Sequence, residues 1–343
     1  MKVSNKVSSG DTGNRLTIEA DHASKIFGNR KAVDDVSFEI SNGEVVGFLG
    51  PNGAGKTTTM RMLTSYYTPD IGSVKISGID TQDSDIETRR KIGYLPENNP
   101  LYGDLLVNEY LDFVADLRGL NAKEKKRNIE STVEEVKLTE VYYLPVSFLS
   151  KGYRQRTGLA AAILHRPEIL IMDEPTEGLD PNQRVSIRDL IRSLGKDRTV
   201  LLSTHVLGEI EGTCDRLLVI NRGKLIADDP VKTISRRVRS SRSVIVEVQG
   251  ASVQKALGKL GSITGIEQED GIGDRKRFIL SFDGEDDPRP DIFRLAKDKN
   301  WVLWELREAE LSLQDVFRAL TEQTTPSDSQ NPDVNSSDLA QEK

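Results

Sequence analysis

The chain has 343 residues, a formal net charge of −7 and 29% charged residues, which excludes a polyanion binder acting through bulk charge. Its length allows about two domains. One cysteine, Cys214, excludes an internal disulfide and suits a reducing compartment.

In chain order, Met1–Asn14 is polar, without apolar periodicity, and is expected to be disordered. From residue 15 onward, strand signals at Val33–Ile40, Val45–Leu49, Ile169–Met172, Thr199–Ser203 and Leu217–Ile220 alternate with helix signals. Helices are predicted over Thr58–Tyr66 and over Asn182–Leu194, where Ile187, Leu190, Ile191 and Leu194 form a core-facing stripe. Parallel strands joined by crossover helices follow from that alternation. Leu101–Ala162 has helical periodicity and no strand pattern, so it reads as a helical subdomain, with Tyr110, Phe113, Val114 and Leu117 on one stripe. The longest uninterrupted apolar stretch near the middle of the chain, Leu159–Leu164, is far short of the about 20 residues that span a bilayer.

The cluster Arg236, Arg237, Arg239 and Arg242 reads as a basic linker facing water. Beyond it, Val244, Val246 and Val248 alternate as a strand does, as do Phe278, Leu280 and Phe282. With helices over Val253–Leu260 and Asp291–Lys297 and a strand over Trp301–Leu306, the order is β-α-β-β-α-β, that of a ferredoxin-like sandwich. A last helix over Leu313–Leu320 is expected to close it. The expected organisation is an α/β domain at 15–235, a C-terminal regulatory or interaction domain at 240–320, and disordered ends at 1–14 and 321–343. A purely structural appendage is the other reading of 240–320. With no signal-peptide core at the N-terminus, a cytoplasmic chain is expected, and any membrane role needs a partner.

Gly50-Pro51-Asn52-Gly53-Ala54-Gly55-Lys56-Thr57 satisfies the phosphate-cradling pattern G-x-x-x-x-G-K-[ST], between a predicted strand and a predicted helix beginning at Thr58. Backbone N–H groups, a helix N-terminus and Lys56 would converge there on phosphate oxygens, and the Thr57 hydroxyl is placed to ligate Mg²⁺. Ile169–Glu174 is a hydrophobic strand ending in two carboxylates. Asp173 is suited to holding Mg²⁺ and Glu174 to taking a proton from an attacking water, which points to hydrolysis of a nucleoside triphosphate.

Further segments carry a family resemblance. Leu149-Ser150-Lys151-Gly152-Tyr153-Arg154-Gln155-Arg156 resembles the L-S-G-G-Q signature of ATP-binding-cassette (ABC) ATPases. Gly178-Leu179-Asp180-Pro181 resembles their D-loop, Ser203-Thr204-His205 their switch histidine, and Ile92–Glu97 their Q-loop segment. Phe27 stands where an aromatic that stacks on adenine is expected. The phrases at Gly93–Tyr102, Leu149–Arg156 and Leu311–Thr321 look like the ATPases of type-2 ABC exporters, closest to the gliding-motility-associated subgroup. Two departures stand out: Lys151 and Tyr153 replace the usual Gly and Gln, and Glu97 replaces a usual Gln. An anionic Glu97 could ligate Mg²⁺ more strongly but adds negative charge near the γ-phosphate; the sequence leaves both effects open.

The resemblance implies a P-loop NTPase cassette, an α/β fold with a RecA-like core, antiparallel β and helical subdomains, and here a small C-terminal ferredoxin-like α+β domain. It implies ATP and Mg²⁺ as ligands, with Phe27, Gly50–Lys56, Thr57 and Thr58 around the nucleotide and Thr57, Asp173 and Glu97 at the metal. Glu174 would be the base, and His205 would sense the γ-phosphate. Ser150, Lys151 and Gly152, with Asp180, would complete the site of a second copy head to tail. The implied protein is a homodimeric, ATP-hydrolysing subunit peripheral on the cytoplasmic face of a membrane, driving a separate permease, without direct nucleic acid contact. A soluble cassette acting on DNA or ribosomes is the alternative.

Overall fold

A computed structural model describes residues 15–309 apart from 235–241, 270, 272 and 283–286. The expected disordered ends, the basic cluster at 236–239 with the Arg242 side chain, and the helix expected at Leu313–Leu320 lie outside the described residues.

Three sheets organise the described residues. Strands β1 (Leu16–Phe27) and β2 (Arg30–Ser41) pair antiparallel and are joined by β4 (Ile71–Ile76) and β5 (Ile79–Asp80) in the order β2-β1-β4-β5. The second sheet holds β3 (Val45–Leu49), β6 (Ile92–Leu95), β7 (Ile169–Asp173), β8 (Thr199–Thr204), β9 (Arg216–Asn221) and β10 (Lys224–Pro230), in the order β10-β9-β3-β8-β7-β6. All its pairings are parallel except β9 with β10.

Fully buried strands with apolar residues on both faces explain how this sheet can lie between two cores. Val46, Phe48, Ile171, Leu201 and Leu218 face the antiparallel sheet, where they pack with Ile18, Phe38, Ile40 and Val74. Val45, Leu49, Leu170, Met172, Val200 and Leu202 point the other way, into the helices. Gly47 carries no side chain on that second face because Ile210 fills the space, 3.0 Å from where a Cβ would stand. Each fully buried side chain such as Phe48 is worth about 1.5–3 kcal/mol relative to exposure. Cys214 lies in the same helical-side core, and burial pushes its thiol up.

The helix after β3, α1, spans Lys56–Leu63, starting two residues before the predicted Thr58 and ending before Tyr66. It stops because Thr64 caps it and Ser65 turns to a φ of 56°, in the left-handed region. A short α2 (Asp85–Lys91) leads into β6. The helical insertion comprises α3 (Val107–Leu117), α4 (Ala122–Glu135) and α5 (Lys151–Ile163). Asn121 caps α4, accepting from the amides of Lys123 and Glu124, with Glu124 reaching back to the Asn121 amide at 3.2 Å.

The predicted stripe on α3 is rotated. The helix buries Val107, Tyr110, Leu111 and Ala115, while Phe113 and Leu117 are 39% and 70% exposed. Val107–Leu111–Ala115 and Tyr110–Phe113–Leu117 both keep helical spacing, so periodicity alone chose the wrong neighbour of Tyr110. Phe113 instead meets Tyr102 edge-on, with ring centroids 5.6 Å apart. After the insertion, α6 (Pro181–Leu194) follows β7 and α7 (Leu207–Ile210) follows β8.

The third sheet is antiparallel and contains β11 (Arg242–Gln249), β12 (Ile263–Glu269), β13 (Lys276–Phe282) and β14 (Val302–Glu308), in the order β12-β13-β11-β14. With α8 (Val253–Leu257) and α9 (Arg289–Asp298), this is the ferredoxin-like arrangement. The α8 helix is shorter than expected, ending at Leu257 rather than Leu260. Val244, Val246, Val248, Phe278, Leu280, Phe282, Leu257 and Ile292 form a core of their own.

Candidate functional site

The carboxyl ends of β3, β7 and β8 bring the phosphate loop, the acidic pair and the histidine to one place. Gly50–Gly55 bends between β3 and α1 in a way that side chains would block. A Cβ on Gly50 would stand 2.6 Å from the Ile220 carbonyl oxygen, and one on Gly55, whose φ is 109°, 2.5 Å from that of Ala32. The loop is tied down by the Gly50 amide donating to the Thr204 carbonyl at 3.3 Å and the Gly223 amide donating to that of Ala54 at 2.8 Å.

Lys56 is 6% exposed, and its ammonium donates to the carbonyls of Gly50 (2.7 Å) and Pro51 (3.3 Å). It lies 3.2 Å from Glu174 Oε1, which makes an ion pair with it but no hydrogen bond of good geometry. The other oxygen of that carboxylate, Oε2, is 3.0 Å from His205 Nδ1. Lysine, carboxylate and imidazole thus form one chain across the cleft. Glu174 sits at a φ of 48°, a conformation that costs a side-chain-bearing residue of order 1 kcal/mol and turns it away from the line of β7.

Ser203, on β8, holds both acids at once. Its hydroxyl donates to Asp173 Oδ1 at 2.5 Å and accepts from the Glu174 amide at 2.9 Å. Asp173 Oδ2 is buried without a hydrogen-bond partner among the described residues. That orphaned anionic oxygen, with the Thr57 hydroxyl in the first turn of α1, is a hard-oxygen donor set that fits Mg²⁺. Burial, with the charge of Asp173 adding to it, pushes the phenol of nearby Tyr94 up to about 12.

A cleft of about 550 Å³ opens over these groups, lined among others by Phe27, Asn52, Gly53, Thr57, Thr58, Glu97 and His205. Phe27 is 45% exposed at its mouth, with Tyr67 edge-on to it at 5.3 Å. Glu97 is exposed and lines the same cleft. Arg30 lines it too, with a long hydrogen bond of 3.4 Å to the Gly53 carbonyl. Sequence reasoning missed Arg30 and Ser203; the closeness of Arg30 to Phe27 along the chain and of Ser203 to His205 was the available signal.

The signature residues lie elsewhere. Ser150 and Gly152 line a second depression of about 570 Å³ with Tyr153, Arg156, Gln183 and Ser186. Ser150 caps α5, its Oγ accepting from the Tyr153 amide at 3.3 Å. Gly152 has a packing reason beyond close approach to an anion: a Cβ there would stand 2.9 Å from the Gln183 side chain. The Lys151 ammonium lies over Gly178, in space a side chain at Gly178 would need. Asp180 caps α6, accepting from the Gln183 amide at 2.9 Å. One chain therefore gathers the phosphate loop, acids and histidine in one cleft and carries its signature on another face.

Residues 33–177 match the family profile described as ABC transporter. The uncharacterized ABC transporter ATP-binding protein YhcH of Bacillus subtilis is 33% identical over 317 residues, 90% of this chain and 97% of the relative. The bacitracin transport ATP-binding protein BcrA of Bacillus licheniformis is 39% identical over 224 residues, 65% of this chain and 72% of the relative. Among solved structures, the ATP binding subunit of an ABC transporter aligns with a TM-score of 0.59 at 30% identity, over 64% of this chain and 92% of that one.

Proposed function

Because this chain belongs to the ABC transporter family as an ATP-binding subunit, we propose that it hydrolyses ATP in the Lys56 cleft and thereby drives a separate membrane permease in export. The observation that carries the reading is the continuous contact from Lys56 through Glu174 to His205 above the buried Asp173. Lys56 and the amides of the phosphate loop hold the phosphates, and Phe27 stacks on the base. Glu174 accepts the proton of the attacking water, and His205, within hydrogen-bond reach of Glu174, orients it and registers the terminal phosphate. Thr57 and Asp173 would hold Mg²⁺, which when bound offsets negative charge on the phosphates. Glu97, which lines the same cleft, would be a further oxygen donor.

Two copies pair head to tail in this reading, each offering Ser150, Lys151 and Gly152 to the other's nucleotide. Support comes from the signature lying on a different face from the cleft within one chain. Residues 15–235 make the ATPase unit and 240–320 a regulatory or interaction unit, a division supported by the separate core of the third sheet. No helix among the described residues is long and apolar enough to cross a membrane, which suits a subunit peripheral on the cytoplasmic face. Export and a place near gliding-motility ATPases rest on the phrases at Gly93–Tyr102 and Leu149–Arg156, and export also on the bacitracin-transport relative.

The test compares Glu174→Gln with Lys56→Ala. Glu174→Gln should keep ATP affinity within about threefold while phosphate release falls at least about a hundredfold; Lys56→Ala should weaken binding itself. Phosphate release by Glu174→Gln at the parental rate would remove Glu174 from the role of base.

A further inference from the structure

Among the described residues Phe148 is the most exposed large apolar side chain, at 80%, and it stands two residues before Ser150. It is not a loose loop residue. Val146–Phe148 forms a 3₁₀ turn in which the Phe148 amide donates to Pro145 at 3.0 Å and the Leu149 amide to Val146 at 3.2 Å. The turn is pinned from outside by the Val146 amide to Leu105 (2.9 Å) and the Ser147 amide to Gly103 (3.0 Å). Leu149 is 5% exposed with φ −73° and ψ 142°, and it anchors the segment in the core.

Leu149 takes a single polyproline-like step between Phe148 and Ser150, whose Cα atoms are then no more than about 7 Å apart. Exposed Phe148 and exposed Ser150 flank buried Leu149, so a partner that covers the Ser150 hydroxyl comes within reach of the phenyl ring. Tyr143 and Leu144, 73% and 44% exposed, widen the apolar ground beside it. At the cleft, Phe27 has Tyr67 against it and is 45% exposed at the mouth. A base stacked on the exposed part of Phe27 would keep its second π-face free.

We propose that Phe148 caps the nucleobase of the ATP held by a second copy of this chain, stacking on the face that Phe27 leaves open. The proposal rests on the head-to-tail pairing above, in which Ser150 approaches the partner copy's terminal phosphate. The base then lies between an aromatic ring from each copy, and closing the pair removes Phe148 from water. Stacking of this kind tolerates any base, so it strengthens the nucleotide-dependent pair without reading base identity.

The experiment uses the full chain carrying Glu174→Gln, with Mg²⁺ and ATP. Sedimentation measures the dimer constant for Phe148, Phe148→Ala and Phe148→Trp, and nucleotide affinity is measured at protein concentrations where the chain is monomeric. Phe148→Ala should weaken the dimer about tenfold or more, since a stacked base is lost at each of two sites, with monomer affinity and thermal unfolding unchanged. Phe148→Trp should restore the dimer, and the emission of the introduced indole should be quenched on pairing by contact with adenine. Parental dimerisation by Phe148→Ala would overturn the proposal and leave the pairing intact. So would a weakened dimer with no quenching in Phe148→Trp, because the patch then meets protein and not the base. If the Glu174→Gln chain carrying Phe148 stays monomeric with ATP, the head-to-tail reading falls and takes this proposal with it.

Discussion

The nucleotide cleft and the signature face differ in how their side chains are satisfied. In the cleft, Lys56, Glu174, His205, Asp173 and Ser203 already hold one another through short contacts, and four of the five are buried. On the signature face, Phe148, Ser150 and Lys151 are exposed, each on a backbone fixed by caps and turns. A preorganised polar site loses little on meeting its ligand, whereas an exposed but rigid surface gains when something covers it. In the proposed reading, the contrast separates a site ready to bind phosphate from an exposed surface that a second copy would cover.

The largest expected break in that contrast is Ser150→Arg. In the Glu174→Gln chain it should abolish the ATP-dependent dimer, because a bulky cation occupies the place of the hydroxyl next to phosphate. The cleft is untouched, so nucleotide affinity of the monomer should stay parental. A dimer that persists on size-exclusion with ATP would remove the signature from the pairing surface.

Ser203→Ala sharpens the cleft side. It removes the hydroxyl that donates to Asp173 and accepts from the Glu174 amide, leaving both acids less well aimed. A misplacement of about 1 Å costs on the order of 100-fold in rate, so kcat should fall by about that much while ATP affinity changes little. A parental kcat would show that β7 alone aims the two acids.

The smallest effect concerns the brace between the two regions. His165 follows α5, the helix that begins at the signature, and its Nε2 is 3.1 Å from the Ile92 carbonyl on β6. Burial, with the charge of Arg118 adding to it, pushes this imidazole down to about 4 from 6.5. The unfolded chain therefore takes up the proton first. Stability is complete above pH 6.5, falls as pH drops toward 4, and the loss is full below it. Between pH 7 and 4.5 this one group should cost about 2 kcal/mol, and urea unfolding of His165→Gln should show a pH slope flatter by that amount. An unchanged slope would mean that His165 titrates alike in the folded and unfolded chain.

What the sequence made legible depended on whether a residue's role is local. Gly50–Thr57 and Ile169–Glu174 announce themselves because a phosphate loop and a buried strand ending in acids constrain consecutive residues. The strand β1 was missed because Asp21 and His22 fall together between Ala20 and Ala23 and break the Ile18/Ala20 alternation, and its pairing with β2 is shifted at several points. The buried face of α3 was misjudged because two helical stripes share Tyr110, and only the position of the parallel sheet selects between them. The link from Ser203 to both acids joins strands distant along the chain, so no window of sequence holds it.

The seclusion of Cys214 makes the chain a clean background for labelling. The thiol is buried and its proton held tightly, so it forms little of the thiolate that reacts with maleimides. A cysteine introduced at an exposed site, such as Tyr143 or Ser147 beside the signature, would then be the reactive one, with no prior removal of the native residue. Spin or dye pairs attached there could follow the approach of two copies through a catalytic cycle in the otherwise native chain.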